Sequence, residues 1–128
     1  MKITSLIARL LLGALFVFAG TNHLFNFLGK QPLPPGVAGA YLGAMIASGY
    51  MNVIGVCEAL AGLLLLINRF LALALVVLAA LIFNIFVVNL LMAPKALPVA
   101  VVTVILWVLA AHRARAELLP LLRPRTAE

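Results

Sequence analysis

The sequence predicts an all-α integral membrane protein: an up-down four-helix bundle with a short interfacial or re-entrant helix between its first and second spans. Three observations predict it. The 128 residues are 66% hydrophobic and 9% charged, with a mean hydropathy of +1.26, whereas soluble domains are about 45–50% apolar and about 25% charged. Four apolar runs approach the roughly 20 residues that cross a hydrocarbon core. The basic residues behind the net charge of +6 sit at the ends of those runs, not in one patch or stripe, which reads as topology marking and argues against a nucleic-acid partner.

The whole chain reads as one membrane domain. Its first span is expected at residues 6–28. Lys2, Arg9 and the apolar run that follows resemble a signal peptide, but the run exceeds the 7–15 residues of a signal core, so it is read as a retained helix. Arg9 is expected to snorkel to the headgroups. The connection 29–51 begins with the stiff Pro32-Leu33-Pro34-Pro35-Gly36, after which Val37, Tyr41, Leu42, Met45 and Ile46 recur at helical spacing. About twelve residues cannot span, so this is the interfacial or re-entrant helix, either a lid or a surface anchor. Tyr41 and Tyr50 suit headgroup depth.

The second span is expected at 52–68, with room to lengthen backward into Gly49-Tyr50-Met51, and the third at 70–92. Asn68-Arg69 leaves space only for a tight antiparallel connection. Pro94 and Pro98 bracket a second short connection, because proline lacks an N–H and disfavours helix in the residue before it. The fourth span follows at 97–112. The basic tail 113–128 carries Leu118, Leu119, Leu121 and Leu122 and is expected to extend the last helix and lie on an anionic leaflet.

Alternating spans put Lys2, Arg9, Arg69, Arg113, Arg115, Arg123 and Arg125 on one side and only Lys30 and Lys95 on the other. The positive-inside rule then makes both termini cytoplasmic.

Against this apolar background one residue stands out. Glu58, in Gly55-Val56-Cys57-Glu58-Ala59-Leu60-Ala61-Gly62, places a carboxylate inside a span. That costs from about 3 to more than 10 kcal/mol, and intramembrane carboxyls therefore usually have a partner, a water pocket or a task. Gly55, Glu58 and Gly62 share a small-residue face that favours close helix packing, and Gly13, Gly20 and His23 form a similar stripe on the first span.

At 1.5 Å per residue, His23 lies about 7 Å from the outer end of its span, Glu58 about 9 Å, Asn84 about 12 Å and Thr103 about 9 Å. The polar residues thus share one layer. Asn84 and Asn89 are about 140° apart around their helix, which favours the deeper Asn84 as the inward residue. The candidate ligand-binding set is Glu58, His23, Asn22, Asn84, Tyr41 and Thr103. A His and Glu pair can pass a proton, one as base and the other as acid. The alternative for Glu58 is a carboxyl that only fixes helix register.

No His-x-x-x-His or Glu-x-x-His spacing supports a metal site. A lone Cys57 excludes an intrachain disulfide and a CxxC pair. Trp107 reads as packing.

The residues also resemble a family. Arg9-Leu10-Leu11-Leu12-Gly13, Phe18-Ala19-Gly20-Thr21-Asn22-His23-Leu24-Phe25, the run from Glu58 through Gly62 and Leu66 into Asn68-Arg69, and then Asn84-Ile85, Ala93-Pro94 and Ala96-Leu97-Pro98 resemble DoxX-like small bacterial membrane proteins. Many members carry a histidine where this chain has Asn89, so a two-histidine site is not implied.

The resemblance implies a four-helix domain in the bacterial cytoplasmic (inner) membrane and points to quinones and membrane oxidoreductase systems. On it rests the leading expectation: an accessory subunit binding a quinone or other lipophilic small molecule, with electrons supplied by a redox partner protein. A lipid isomerase using Glu58 and His23, a small proton-coupled exporter and a structural assembly subunit stay open, as does a homo-oligomer.

Overall fold

The computed structural model describes residues 2–29 and 32–124. Lys30, Arg125 and the rest of the tail to Glu128, which entered the charge count or the tail expectation, lie outside the described residues. The helices are α1 (Lys2–Phe25), α2 (Gly36–Ser48), α3 (Tyr50–Ile67), α4 (Leu71–Met92), α5 (Leu97–Ala111) and the short α6 (Arg115–Leu118). Four segments are long and apolar enough to cross a membrane: α1, α3, α4 and the stretch Pro94–Leu122 that contains α5 and α6. The chain is thus a multi-pass, all-α membrane protein whose helices contact the lipid bilayer. Helices suit this solvent because they satisfy the backbone within one segment.

The ends of the helices have local causes. α1 stops at Phe25, short of the expected residue 28, because Asn26 turns left-handed with φ of 52° and the Asn22 side chain accepts a hydrogen bond from Leu28 N at 3.1 Å. α2 and α3 are separated only by Gly49, whose φ of 82° is open to glycine. α3 ends at Asn68 in the left-handed conformation, and Phe70 repeats that conformation before α4. The Asn68-Arg69-Phe70 turn reverses the chain in three residues.

In the bundle, α1 packs against α3 and α5, and α4 closes the ring by packing on α3 and α5. α2 lies across α3 and α4 at one end. At the other end α1 meets the 3-10 turn His112–Ala114, so the amino terminus and the chain after α5 emerge together. The tail does extend α5, but as the turn His112–Ala114, α6 and a second 3-10 turn, Leu119–Leu122.

The core is thin, as expected where lipid provides the apolar solvent. Leu12, Leu65, Leu75 and Leu78 fill its centre, with Phe16 and Ile82 above them. Many other large apolar side chains, among them Phe83, Leu91, Val108 and Ile105, face outward. Trp107 is held in the packing by a bond from its Nε1 to the Leu75 carbonyl at 2.8 Å.

The closest contact in the bundle is the α1–α3 seam. Gly13 faces Gly62 and Gly20 faces Gly55: a Cβ on Gly20 would lie 2.5 Å from both Ala59 N and Gly55 O, and one on Gly62 would lie 2.7 Å from Gly13 O. Small residues allow this approach, and dispersion between the backbones rewards it.

Arg9 departs from its expected position. It does not snorkel to the surface but is buried at 7% exposure, with Nη1 donating to the Leu65 carbonyl at 2.6 Å. That carbonyl belongs to the last turn of α3, where the helix dipole concentrates partial negative charge and attracts a cation.

Candidate functional site

The seam fixes the position of the carboxylate. In this antiparallel seam His23 packs beside Gly55, where an added Cβ would lie 3.0 Å from the His23 Cβ, and Glu58 sits one turn along α3 beside Ala59, the residue that faces Gly20, so the two side chains meet across the seam. His23 Nδ1 lies 3.0 Å from Glu58 Oε1. The Glu58 side chain is almost wholly enclosed, at 3% exposure, while His23 keeps 31%. The approach is close but lacks the N–H alignment of a strong hydrogen bond, so Nδ1 has no aligned partner. A separation of 3.0 Å accommodates a proton on either the carboxyl or the ring.

The pair forms part of the wall of a cavity of about 400 Å³ between the four spans and α2. The walls are otherwise mainly apolar: Phe16 comes from α1, Ile54 from α3, Leu81 and Ile85 from α4 and Val99 from α5. A cavity of this size and lining, with a few convergent polar groups, suits a small lipophilic molecule.

Helix α2 is more than a surface anchor. Ala38, Tyr41, Leu42 and Met45 line the cavity, and the Tyr41 hydroxyl accepts a hydrogen bond from Asn84 Nδ2 at 3.3 Å. The helical spacing of Tyr41, Leu42 and Met45 was the sequence signal for this roof. Thr103 also lines the cavity, buried, with its hydroxyl donating to the Val99 carbonyl of its own helix at 2.9 Å. Its oxygen keeps capacity to accept.

Of the six residues singled out from the sequence, His23, Glu58, Asn84, Tyr41 and Thr103 are thus brought to one cavity. Asn22 is not: its oxygen is engaged at the end of α1 with Leu28 N, and it does not line the cavity.

Asn89 differs from the expectation in the other direction. Helical angles disfavoured two inward asparagines on α4, yet Asn84 and Asn89 both reach the cavity, because it extends from the bundle centre to the α4–α5 connection. There Asn89 Nδ2 reaches toward the Ala96 carbonyl at 3.4 Å. An angle measured from a single axis misses a cavity that runs along the helix, from Leu81 past Asn89 to Ala93. Met51, Val88 and Ala93, which also line the cavity, carried no signal in the sequence, being apolar residues among apolar residues.

Compared with known proteins, the chain matches no family model, no curated protein and no solved structure.

Proposed function

We propose that this protein is a DoxX-like component of a bacterial cytoplasmic membrane that binds a quinone or another lipophilic small molecule in the cavity beneath α2, as an accessory subunit of a membrane oxidoreductase system. One observation carries the reading: the buried Glu58 carboxyl, 3.0 Å from the partly exposed His23, on the wall of an apolar cavity of about 400 Å³. A carboxylate is expensive in a membrane unless it has a partner and a task. Here it has the partner, and the cavity supplies room for the task.

The polar groups fit a carbonyl-bearing ring. The Asn84 amide and the Tyr41 hydroxyl are able to donate to carbonyl oxygens, and the apolar walls cover a ring and the start of a tail. A quinone undergoing reduction takes up protons at its oxygens. Glu58 and His23 would hold a proton and pass it between Oε1 and Nδ1, while the electrons come from a partner protein. The family resemblance adds the quinone to this reading. The distribution of lysine and arginine supports cytoplasmic termini and an outer-leaflet cavity.

The same pair, acting without a partner, favours a second reading: proton transfer to and from an unsaturated lipid, as in an isomerase. Turnover by the isolated protein would select it.

Thermal unfolding of the detergent-purified protein with a short-tailed benzoquinone tests the lead. A ligand of the folded state raises the midpoint progressively with its concentration. The rise is expected in wild type and reduced in Glu58→Gln. Identical curves with and without quinone would remove quinones from the account.

A further inference from the structure

The other end of the bundle holds a second cavity, of about 310 Å³, lined by Lys2, Ser5, His112, Arg113 and Arg115. Its chemistry is opposite to that of the first. Three cations converge on it from the start of α1 and from the turn and helix that follow α5, and among the described residues none has a carboxylate within 4.0 Å. Glu117, on the neighbouring α6, is exposed and pairs with none of them. Arg9 stands behind with its Nε unpartnered, within electrostatic reach of Arg113. Lys2, Arg113 and Arg115 are all exposed, and Arg115 Nη1 also donates to the His112 carbonyl at 2.7 Å; together the three give the cavity a positive potential that favours an anion.

The second observation concerns Ser5. Its side chain is fully buried, at 0% exposure, it lines the cavity, and its Oγ has no hydrogen-bond partner. A serine within a helix ordinarily bonds back to a preceding carbonyl or points to solvent. A buried hydroxyl left unpaired is costly, and one set among cations is placed to donate to an anion's oxygen.

We infer that this cavity is a site for a phosphate-bearing anion, held by Lys2, Arg113 and Arg115 as counter-charges and by the Ser5 hydroxyl as a directional donor. Arginine favours phosphate because its planar fork matches two oxygens. The position, at the end of a membrane bundle where basic side chains gather, suits a phospholipid headgroup, and free phosphate shares the same chemistry.

Native mass spectrometry of the full chain, with phosphatidylglycerol added to the detergent, tests the assignment. Wild type is expected to hold one phosphatidylglycerol, and Ser5→Ala and Arg113→Gln each to lower the bound fraction about tenfold, the loss of one charge-assisted bond. Arg123→Gln, which removes an equal charge outside the cavity, is expected to leave the bound fraction unchanged. Because Ser5→Ala removes an unpaired hydroxyl, the lipid-free variant should unfold at or above the wild-type midpoint, which separates loss of a site from loss of the fold.

Displacement of the lipid by inorganic phosphate would assign the site to the free anion, and resistance to it would assign the site to the headgroup; both support the anion site. Equal lipid binding in Ser5→Ala, Arg113→Gln and Arg123→Gln would overturn it. So would the absence of both a lipid adduct and a phosphate adduct in wild type.

Discussion

A single methyl group on Gly20 should open the α1–α3 seam. The added Cβ would lie 2.5 Å from Ala59 N and from Gly55 O, and 3.0 Å from Ala59 Cα. All three atoms are backbone, so no rotamer change relieves the clash. Restoring an ordinary contact of 3.4 Å requires the helices to part by about 0.9 Å at this point. A gap of about 0.5–1 Å forfeits a quarter to a half of each dispersion contact, and overpacking of a close-packed core costs about 1–3 kcal/mol. Gly20→Ala is therefore expected to destabilise the protein by about 1–3 kcal/mol.

The assay is equilibrium unfolding in mixed detergent micelles with increasing dodecyl sulfate, followed by helical circular dichroism. Gly43→Ala is the control: its Cβ would meet only the end of the Leu33 side chain, at 3.3 Å, which has room to turn. Adding Ala59→Gly to Gly20→Ala should not rescue stability, because the conflict is with the Ala59 backbone. Equal midpoints for Gly20→Ala and Gly43→Ala would refute the close-contact argument.

The turn between α3 and α4 predicts a contrast at Asn68, which has φ of 57°: Asn68→Gly should leave stability unchanged and Asn68→Val should lower it by about 1–2 kcal/mol in the same unfolding assay. Trp107→Phe loses the bond to the Leu75 carbonyl and should cost about 0.5–1.5 kcal/mol, read by circular dichroism because the chain has no other tryptophan. In the cavity, Tyr41→Phe removes the hydroxyl that accepts from Asn84. It should weaken short-tailed benzoquinone binding about threefold to tenfold, measured as a smaller ligand-induced rise in the unfolding midpoint.

Much of the architecture was legible because lipid simplifies the code. Spans are read from length and hydropathy alone, and Asn68-Arg69 and Pro94 to Pro98 mark turns by local chemistry that tertiary contacts do not override. The Gly55-Glu58-Gly62 and Gly13-Gly20-His23 stripes were visible because only small residues admit a close seam, and their meeting brings His23 to Glu58. The positions that escaped the sequence depend on the third dimension. Arg9 is long enough to reach water or a neighbouring helix end, and only the location of Leu65 O decides which. Asn22 has the composition of a ligand residue but lies where α1 needs a partner for Leu28 N. Asn89 reaches the cavity through its shape, which no helical wheel contains. Ser5 was invisible for the same reason, since a serine in an apolar run gains meaning only from the cations that fold around it.

The most direct measurement is mass spectrometry of the lipophilic molecules that co-purify with the protein in mild detergent, comparing wild type with Glu58→Gln. A cavity built around the His23–Glu58 pair predicts a quinone, or one class of lipid, enriched on wild type and depleted on the variant. The same lipids in the same amounts on both proteins would contradict it, and would leave Glu58 as a carboxyl that only holds α3 against α1.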